Sequence, residues 1–290
     1  MHDVDVKGIL SAKNGMNLYR GCSHGCIYCD SRSCCYAMDH PFEDIAVKRN
    51  ALPLLEQALR RKRRPCMIGT GSMSDPYLPL EAERGLTRGA LELIRDYGFG
   101  VSLLTKSDLV LRDIDLLAEI NRKTKCVVQM TLTTLDEALC RKLEPHVCTT
   151  ARRVQVLEEL HRAGIPTVVW LCPILPFLND TEENLEGLLA LCAQAGVEGI
   201  IQFGMGLTLR EGSREHFYAK LEEHFPGMKE RYIAAYGSRY ALESPNSRSL
   251  LALLHRRCRQ LGLRDDREGL FDWMNTFEEK DAPQQLSLWG

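Results

Sequence analysis

The sequence predicts an α/β fold, a parallel sheet with helices packed outside it. Three observations carry the prediction. Six short apolar runs alternate with segments of helical periodicity between residues 16 and 203, and such alternation with short links marks βα units. The runs are continuous rather than alternating, as in strands buried on both faces. The unusual polar clusters stand directly after those runs, where parallel α/β folds gather their function. The pattern by itself leaves a barrel and a doubly wound sheet both open.

Taken in order, residues 16–20 read as a first strand feeding a loop at 21–30, and 31–48 read as irregular. A helix follows over 50–63, with Leu52, Leu55 and Leu59 on one face and Pro65 ending it. Residues 66–70 form the second strand, and the loop 71–77 follows it. The stretch 81–97 reads as one helix closed by Gly98. The third strand spans 100–105, with Lys106 at its carboxyl end, and a helix covers 112–121. The fourth strand spans 126–134, and the helix 150–162 is closed by Gly164. The fifth strand spans 166–172. Asp180 or Thr181 caps a helix to residue 195, with Glu182 and Glu183 in its first turn. The sixth strand spans 199–203.

From residue 211 the alternation stops. The segments 214–225, 229–236 and 247–261 read as helices, with no further parallel strand. The expected organisation is a core at 1–210, a helical extension at 211–264, and a polar, loosely packed tail at 265–290 with an apolar terminal motif.

With 290 residues, 44% hydrophobic and 26% charged, the chain has the composition of a soluble globular protein. A net charge of −2 gives no global basic field to draw it onto nucleic acid. The basic runs at 60–64 and 256–259 read as solvated last turns of helices. The acidic start lacks an apolar run, so no secretory signal is expected, and no stretch reaches the ~20 apolar residues of a membrane span. Twelve cysteines without export point to a reducing cytoplasm, with thiols and metal ligands rather than bridges. Cys126, Cys172 and Cys192 lie in apolar runs and read as small core residues.

Cys22, Cys26 and Cys29 stand at spacing C-x3-C-x2-C in a loop of small residues. Three thiols so close cannot all pair with one another, but they can converge on one metal centre. Four would saturate a cubane [4Fe–4S] cluster, whereas three leave one iron open. An open metal position marks a catalytic site rather than a structural one. The alternative is a zinc knuckle, with His24, Cys34 or Cys35 as fourth ligand. Such knuckles usually use two separated cysteine pairs, and no distant pair exists here.

This spacing, with aromatic Tyr28 before the third cysteine, resembles the radical S-adenosylmethionine (SAM) enzymes. The segment Ser74-Asp75-Pro76-Tyr77-Leu78-Pro79-Leu80-Glu81 is similar to the S/T-D-P-Y-Q-P-x-E loop of spore photoproduct lyase and its relatives. Thr105-Lys106-Ser107, with Leu111-Arg112-Asp113 through Leu117, resembles their T-K-S…R-D-x-x-L-L segment. Leu143-Glu144-Pro145, then Arg152 or Arg153, then Ala163-Gly164-Ile165-Pro166 and Pro173-Ile174-Leu175-Pro176, continue it in order. The resemblance covers about residues 10–210.

The resemblance implies a partial (β/α)6 TIM-like barrel with the cysteine loop after its first strand. It implies that Cys22, Cys26 and Cys29 hold a [4Fe–4S] cluster and that Tyr28 packs by the adenine or the cluster edge. The turn of Gly69, Thr70, Gly71 and Ser72 would meet the methionine amino group of SAM. Lys106 and Thr131 would hold its carboxylate and ribose region, while Asp75, Tyr77 and Glu81 line the same end, the first two as candidate catalytic residues. Reductive cleavage of SAM would then yield a 5′-deoxyadenosyl radical for hydrogen abstraction, with a flavodoxin- or ferredoxin-type donor. The family suggests lyase-like DNA repair or nucleic-acid modification by a monomer free of membranes. A small-molecule or peptide substrate, or a non-catalytic metal-binding scaffold, are the alternatives.

Two departures limit what carries over. Authentic spore photoproduct lyases hold a hydrogen-donating cysteine near the end of the second strand, where this chain has Gly71-Ser72-Met73-Ser74. They also place a tyrosine directly after the third cluster cysteine, where this chain has Asp30. Spore-type thymine-dimer repair therefore does not carry over. Finally, Gln285-Leu286-Ser287-Leu288-Trp289 resembles the pentapeptide that binds bacterial sliding clamps, with Trp in place of Phe, which makes a clamp a candidate partner.

Overall fold

A computed structural model describes residues 1–280. Strand β1 (His2–Val4) runs parallel to β4 (Ala46–Lys48), and β3 (Tyr19–Arg20) pairs antiparallel with β4, forming a small side sheet. The main sheet holds β2 (Gly15–Met16), β5 (Met67–Thr70), β6 (Gly100–Thr105), β7 (Cys126–Thr131), β8 (Thr167–Trp170) and β9 (Gly199–Ile201), all parallel and in chain order. Among the described residues β2 and β9 do not pair, so the sheet is an open barrel. Its strands are buried on both faces, and β7 is buried at every residue. This is the expected partial (β/α)6 architecture.

The helices between strands are α1 (Ala51–Arg61), α2 (Glu81–Arg84), α3 (Leu86–Asp96), α4 (Ile114–Lys123), α5 (Glu137–Leu143), α6 (Thr150–Arg162) and α7 (Glu182–Gln194). The caps follow side-chain chemistry. Thr149, Thr181 and Asp136 each accept a hydrogen bond from a backbone amide of the first turn of α6, α7 and α5. Beyond the barrel, β10 (Gly206–Thr208) and β11 (Ala241–Glu243) pair antiparallel around α8 (Ser213–His224) and α9 (Met228–Tyr236). Helices α10 (Ser247–Leu261) and α11 (Arg267–Asn275) are the last elements among the described residues.

Four expectations are corrected. The first strand splits at Asn17-Leu18, because β3 turns away to pair with β4 while Tyr19 donates to the buried carboxylate of Glu81. The helix expected over 81–97 breaks at Gly85, whose φ of 64° suits glycine. The break lets Glu81 turn inward and accept from the Thr87 amide at 3.0 Å and Arg112 Nη2 at 2.8 Å. Helix α5 and the β10–β11 pair are additions to the expected set. The segment after Asp265 is not loosely packed: Leu270 and Met274, one turn apart, bury against Val127, Val168 and Ile201. Arg264 meanwhile pairs with β9, accepting from the Ile200 amide at 2.7 Å and donating to Glu198 at 3.2 Å. The clamp-like pentapeptide lies outside the described residues.

Candidate active site

A cavity of about 910 Å³ opens at the carboxyl ends of the barrel strands. The loop after β2 and β3 lines it with Cys22, His24, Cys26, Tyr28 and Cys29. The second strand's loop contributes residues 71–75, and the third strand's end contributes Leu104, Thr105 and Lys106. Thr131, Trp170 and Cys172 come from the next two strand ends, and the β10–β11 pair closes one side.

The cysteine loop is tied down by its own backbone. The Cys22 amide donates to Phe42 O at 3.0 Å, the Ile27 amide to Leu143 O at 3.0 Å, and the His146 amide to His24 O at 3.1 Å. Ser74 Oγ donates to Gly21 O at 2.6 Å. Gly71 holds a φ of 97°, and a Cβ there would lie 1.9 Å from Leu104 O, so only glycine fits this turn.

Asp75 joins three segments. Its carboxylate accepts from Thr105 Oγ1 at 2.7 Å, the Lys106 amide at 2.8 Å and the Tyr77 amide at 2.9 Å, and lies 3.0 Å from His24 Nε2. Burial alone would raise its pKa; the charge of His24 and these hydrogen bonds outweigh it and hold the carboxyl below its ordinary range. All four of its partners are protein groups, so Asp75 is occupied in positioning the loops.

Glu144 is a second hub. It accepts from Tyr28 Oη and from Arg153 Nη2, and lies 3.4 Å from Lys106 Nζ. Arg153 also donates to Thr131 O at 2.7 Å and Cys148 O at 2.9 Å. Lys106 Nζ stands 5.7 Å over the Tyr28 ring. Burial opposes ionisation of Glu144, but the charges of Arg153 and Lys106 lower its pKa to about 2. The Lys106 ammonium is thus held at the cavity wall by a permanent anion.

The cavity gathers Cys22, Cys26, Cys29, Tyr28, Gly71, Ser72, Asp75, Lys106 and Thr131 among the residues singled out in the sequence. Gly69 and Thr70 stay within β5 and do not line it, although the buried Thr70 hydroxyl has no partner. Tyr77 is turned the other way. It is fully buried, donates to Asp113 at 3.1 Å and sits under the Arg112 guanidinium. Asp30 accepts from Tyr36 Oη at 2.8 Å and Ser33, facing Arg210 at 3.5 Å. Cys126 and Cys192 are core, as expected, but Cys172 lines the cavity because β8 ends at Trp170, before it. Glu144 and Arg153 were visible only as parts of a resembling segment, without a role.

Three thiols on one loop are a donor set that would leave one iron of a [4Fe–4S] cluster open, and all three line the cavity. Burial pushes the Cys22 thiol up to about 12 and Cys26 well above its ordinary value, so ionisation there needs a cationic centre.

A family model described as the radical SAM superfamily matches residues 16–192. The chain belongs to the radical SAM superfamily. Members of this enzyme superfamily bind a [4Fe–4S] cluster and SAM, and require a reductant. An uncharacterized protein of Mycobacterium tuberculosis is 34% identical over 81% of this chain and 71% of its own length. An uncharacterized protein of Methanocaldococcus jannaschii is 34% identical over 62% of this chain and 67% of its own. A Pseudomonas phage M6 protein named radical SAM Nalpha-GlyT isomerase is 26% identical over 45% of this chain and 26% of its own.

The radical SAM chain shares its fold with solved structures. A spore photoproduct lyase variant superposes with a TM-score of 0.63 at 17% identity, over 88% of this chain and 77% of that one. A spore photoproduct lyase variant with bound AdoMet and dinucleoside spore photoproduct gives 0.60 at 15%, over 86% and 73%. A radical SAM methyltransferase from Kitasatospora setae with cobalamin and a [4Fe–4S] cluster gives 0.56 at 13%, over 84% and 52%. No helix among the described residues is long and apolar enough to cross a membrane.

Proposed function

We propose that this radical SAM enzyme holds its cluster through Cys22, Cys26 and Cys29 and acts on a nucleobase-bearing substrate, spore photoproduct lyase-like in architecture. When bound, cluster and SAM supply one-electron chemistry and a radical able to take a hydrogen atom from a substrate carbon. The chain's own residues bind, orient and exclude water. Lys106, fixed by Glu144, offers a compact cation to the SAM carboxylate. The Gly71 and Ser72 backbone serves the amino group and Thr131 the ribose region. Asp75 keeps the cysteine loop, the second-strand loop and the third strand's end in one register, and the apolar wall keeps water from the reacting atoms.

The observation that carries the substrate class is the exposed aromatic pair of the cavity. Phe203 and Tyr240 line it at 56% and 49% exposure. Trp170 stands 5.5 Å from the Phe203 ring, and the Arg210 guanidinium lies 5.4 Å over the Tyr240 ring. Aromatic faces and arginine planes are what unpaired bases stack on. Reduction by a flavodoxin- or ferredoxin-type donor, and clamp binding through residues 285–289, accompany this reading.

Oligonucleotide binding tests it. Phe203→Ala and Tyr240→Ala should each weaken single-stranded DNA binding by about 1–3 kcal/mol, with iron content and dithionite-driven SAM cleavage retained. Unchanged affinity in both variants overturns the base-stacking assignment.

A further inference from the structure

Beside the active site lies a second cavity, about 720 Å³, which shares Ser31, Met73 and Ser74 with it. His2 and His40 line this second cavity. One ligand atom each from His2, His40 and Asp44 lie within 4.8 Å of one another. We propose that these three residues form a site for a divalent transition ion of the zinc class, separate from the cysteine loop.

Two imidazoles and a carboxylate are a ligand set such ions favour, and three protein ligands leave a position for water. His40 Nδ1 lies 3.1 Å from Pro41 O. A carbonyl only accepts, so Nδ1 carries the proton and Nε2 keeps its lone pair, the usual arrangement of a metal-binding histidine. His2 Nδ1 stands 3.1 Å from Asp44 Oδ2, and the Met1 ammonium holds Oδ1 at 2.8 Å, so an ion between His2 and Oδ2 would replace their hydrogen bond. The two rings meet edge to face at 4.9 Å.

The backbone brings these residues together. β1 pairs with β4 in the register His2↔Ala46, and the His2 amide donates to Ile45 O at 3.0 Å. Asp44 therefore sits beside His2, with His40 on the loop that arrives there. Between the two loop ligands, Phe42 O accepts the Cys22 amide. An ion that fixes residues 40–44 against β1 steadies the backbone of the first cysteine.

The test uses untagged, full-length protein with its cluster reconstituted, dialysed against low-micromolar zinc under anaerobic conditions. Iron and zinc are then measured by mass spectrometry. The wild type should retain one zinc per chain beside its iron. His40→Ala and Asp44→Asn should bind zinc at least about tenfold more weakly, with iron content and circular dichroism unchanged. Absence of zinc in the wild type, or equal zinc in wild type and both variants, overturns the site.

Discussion

Arg153 and Glu144 form an ion pair in which neither side chain is more than 1% exposed. The pair links the amino-terminal part of α6 to the residue after α5. Through Tyr28 and Lys106 it reaches both the cysteine loop and the cavity wall.

Removing one partner strands a buried charge. Arg153→Met should therefore destabilise the protein by about 3–5 kcal/mol. The double variant Arg153→Met/Glu144→Gln should lose less than the sum of the single changes. Thermal unfolding of cluster-loaded samples, compared within one preparation, reads both.

The pair also sets an acid limit. The folded pKa of Glu144, about 2, lies below its ordinary value of 4.5, so the unfolded chain binds more protons between them. The stabilisation is complete above 4.5 and is lost as pH falls toward 2. Urea midpoints measured at descending pH should drop more steeply in the wild type than in Glu144→Gln. Parallel curves would remove Glu144 from the acid response.

Lys106→Met should weaken SAM binding by roughly ten- to a hundredfold, the worth of one hydrogen bond to a charged group. Iron content should stay as it was, because this side chain is not one of the three cysteines that would hold the cluster. Equilibrium dialysis with labelled SAM gives the affinity; an unchanged value would mean that the ammonium faces something else.

The barrel was legible because two-sided burial writes continuous apolar runs, as in Cys126–Thr131. A closing Gly164 marked the end of α6, and a capping residue at 180–181 marked the start of α7, equally plainly. What escaped was decided by distant pairing. Nothing local in Tyr19 shows that it will leave the first strand for β4 and Glu81. The three-residue strands β10 and β11 lie on either side of two helices, so no period joins them. Leu270 and Met274 do stand at helical spacing, but their polar surroundings masked the stripe.

The site divides in the same way. Its cysteines and Lys106 follow strand ends and could be read from the order of elements. Tyr77 could not: it shares a motif with Asp75, yet Pro76 and the Asp75 hydrogen bond send its ring toward Asp113. Glu144 and Arg153 read as ordinary charged residues until the fold buries them together.

Arg264 lies against the backbone of β9, and α11 covers the surface made by Val127, Val168 and Ile201. A sheet that does not close on itself among the described residues has two raw borders, and one of them is stopped by Arg264 and α11. Cut short before that point, the protein would offer an unpaired strand and an apolar flank to its neighbours. Two such copies would each present the edge and the apolar flank that Arg264 and α11 otherwise cover.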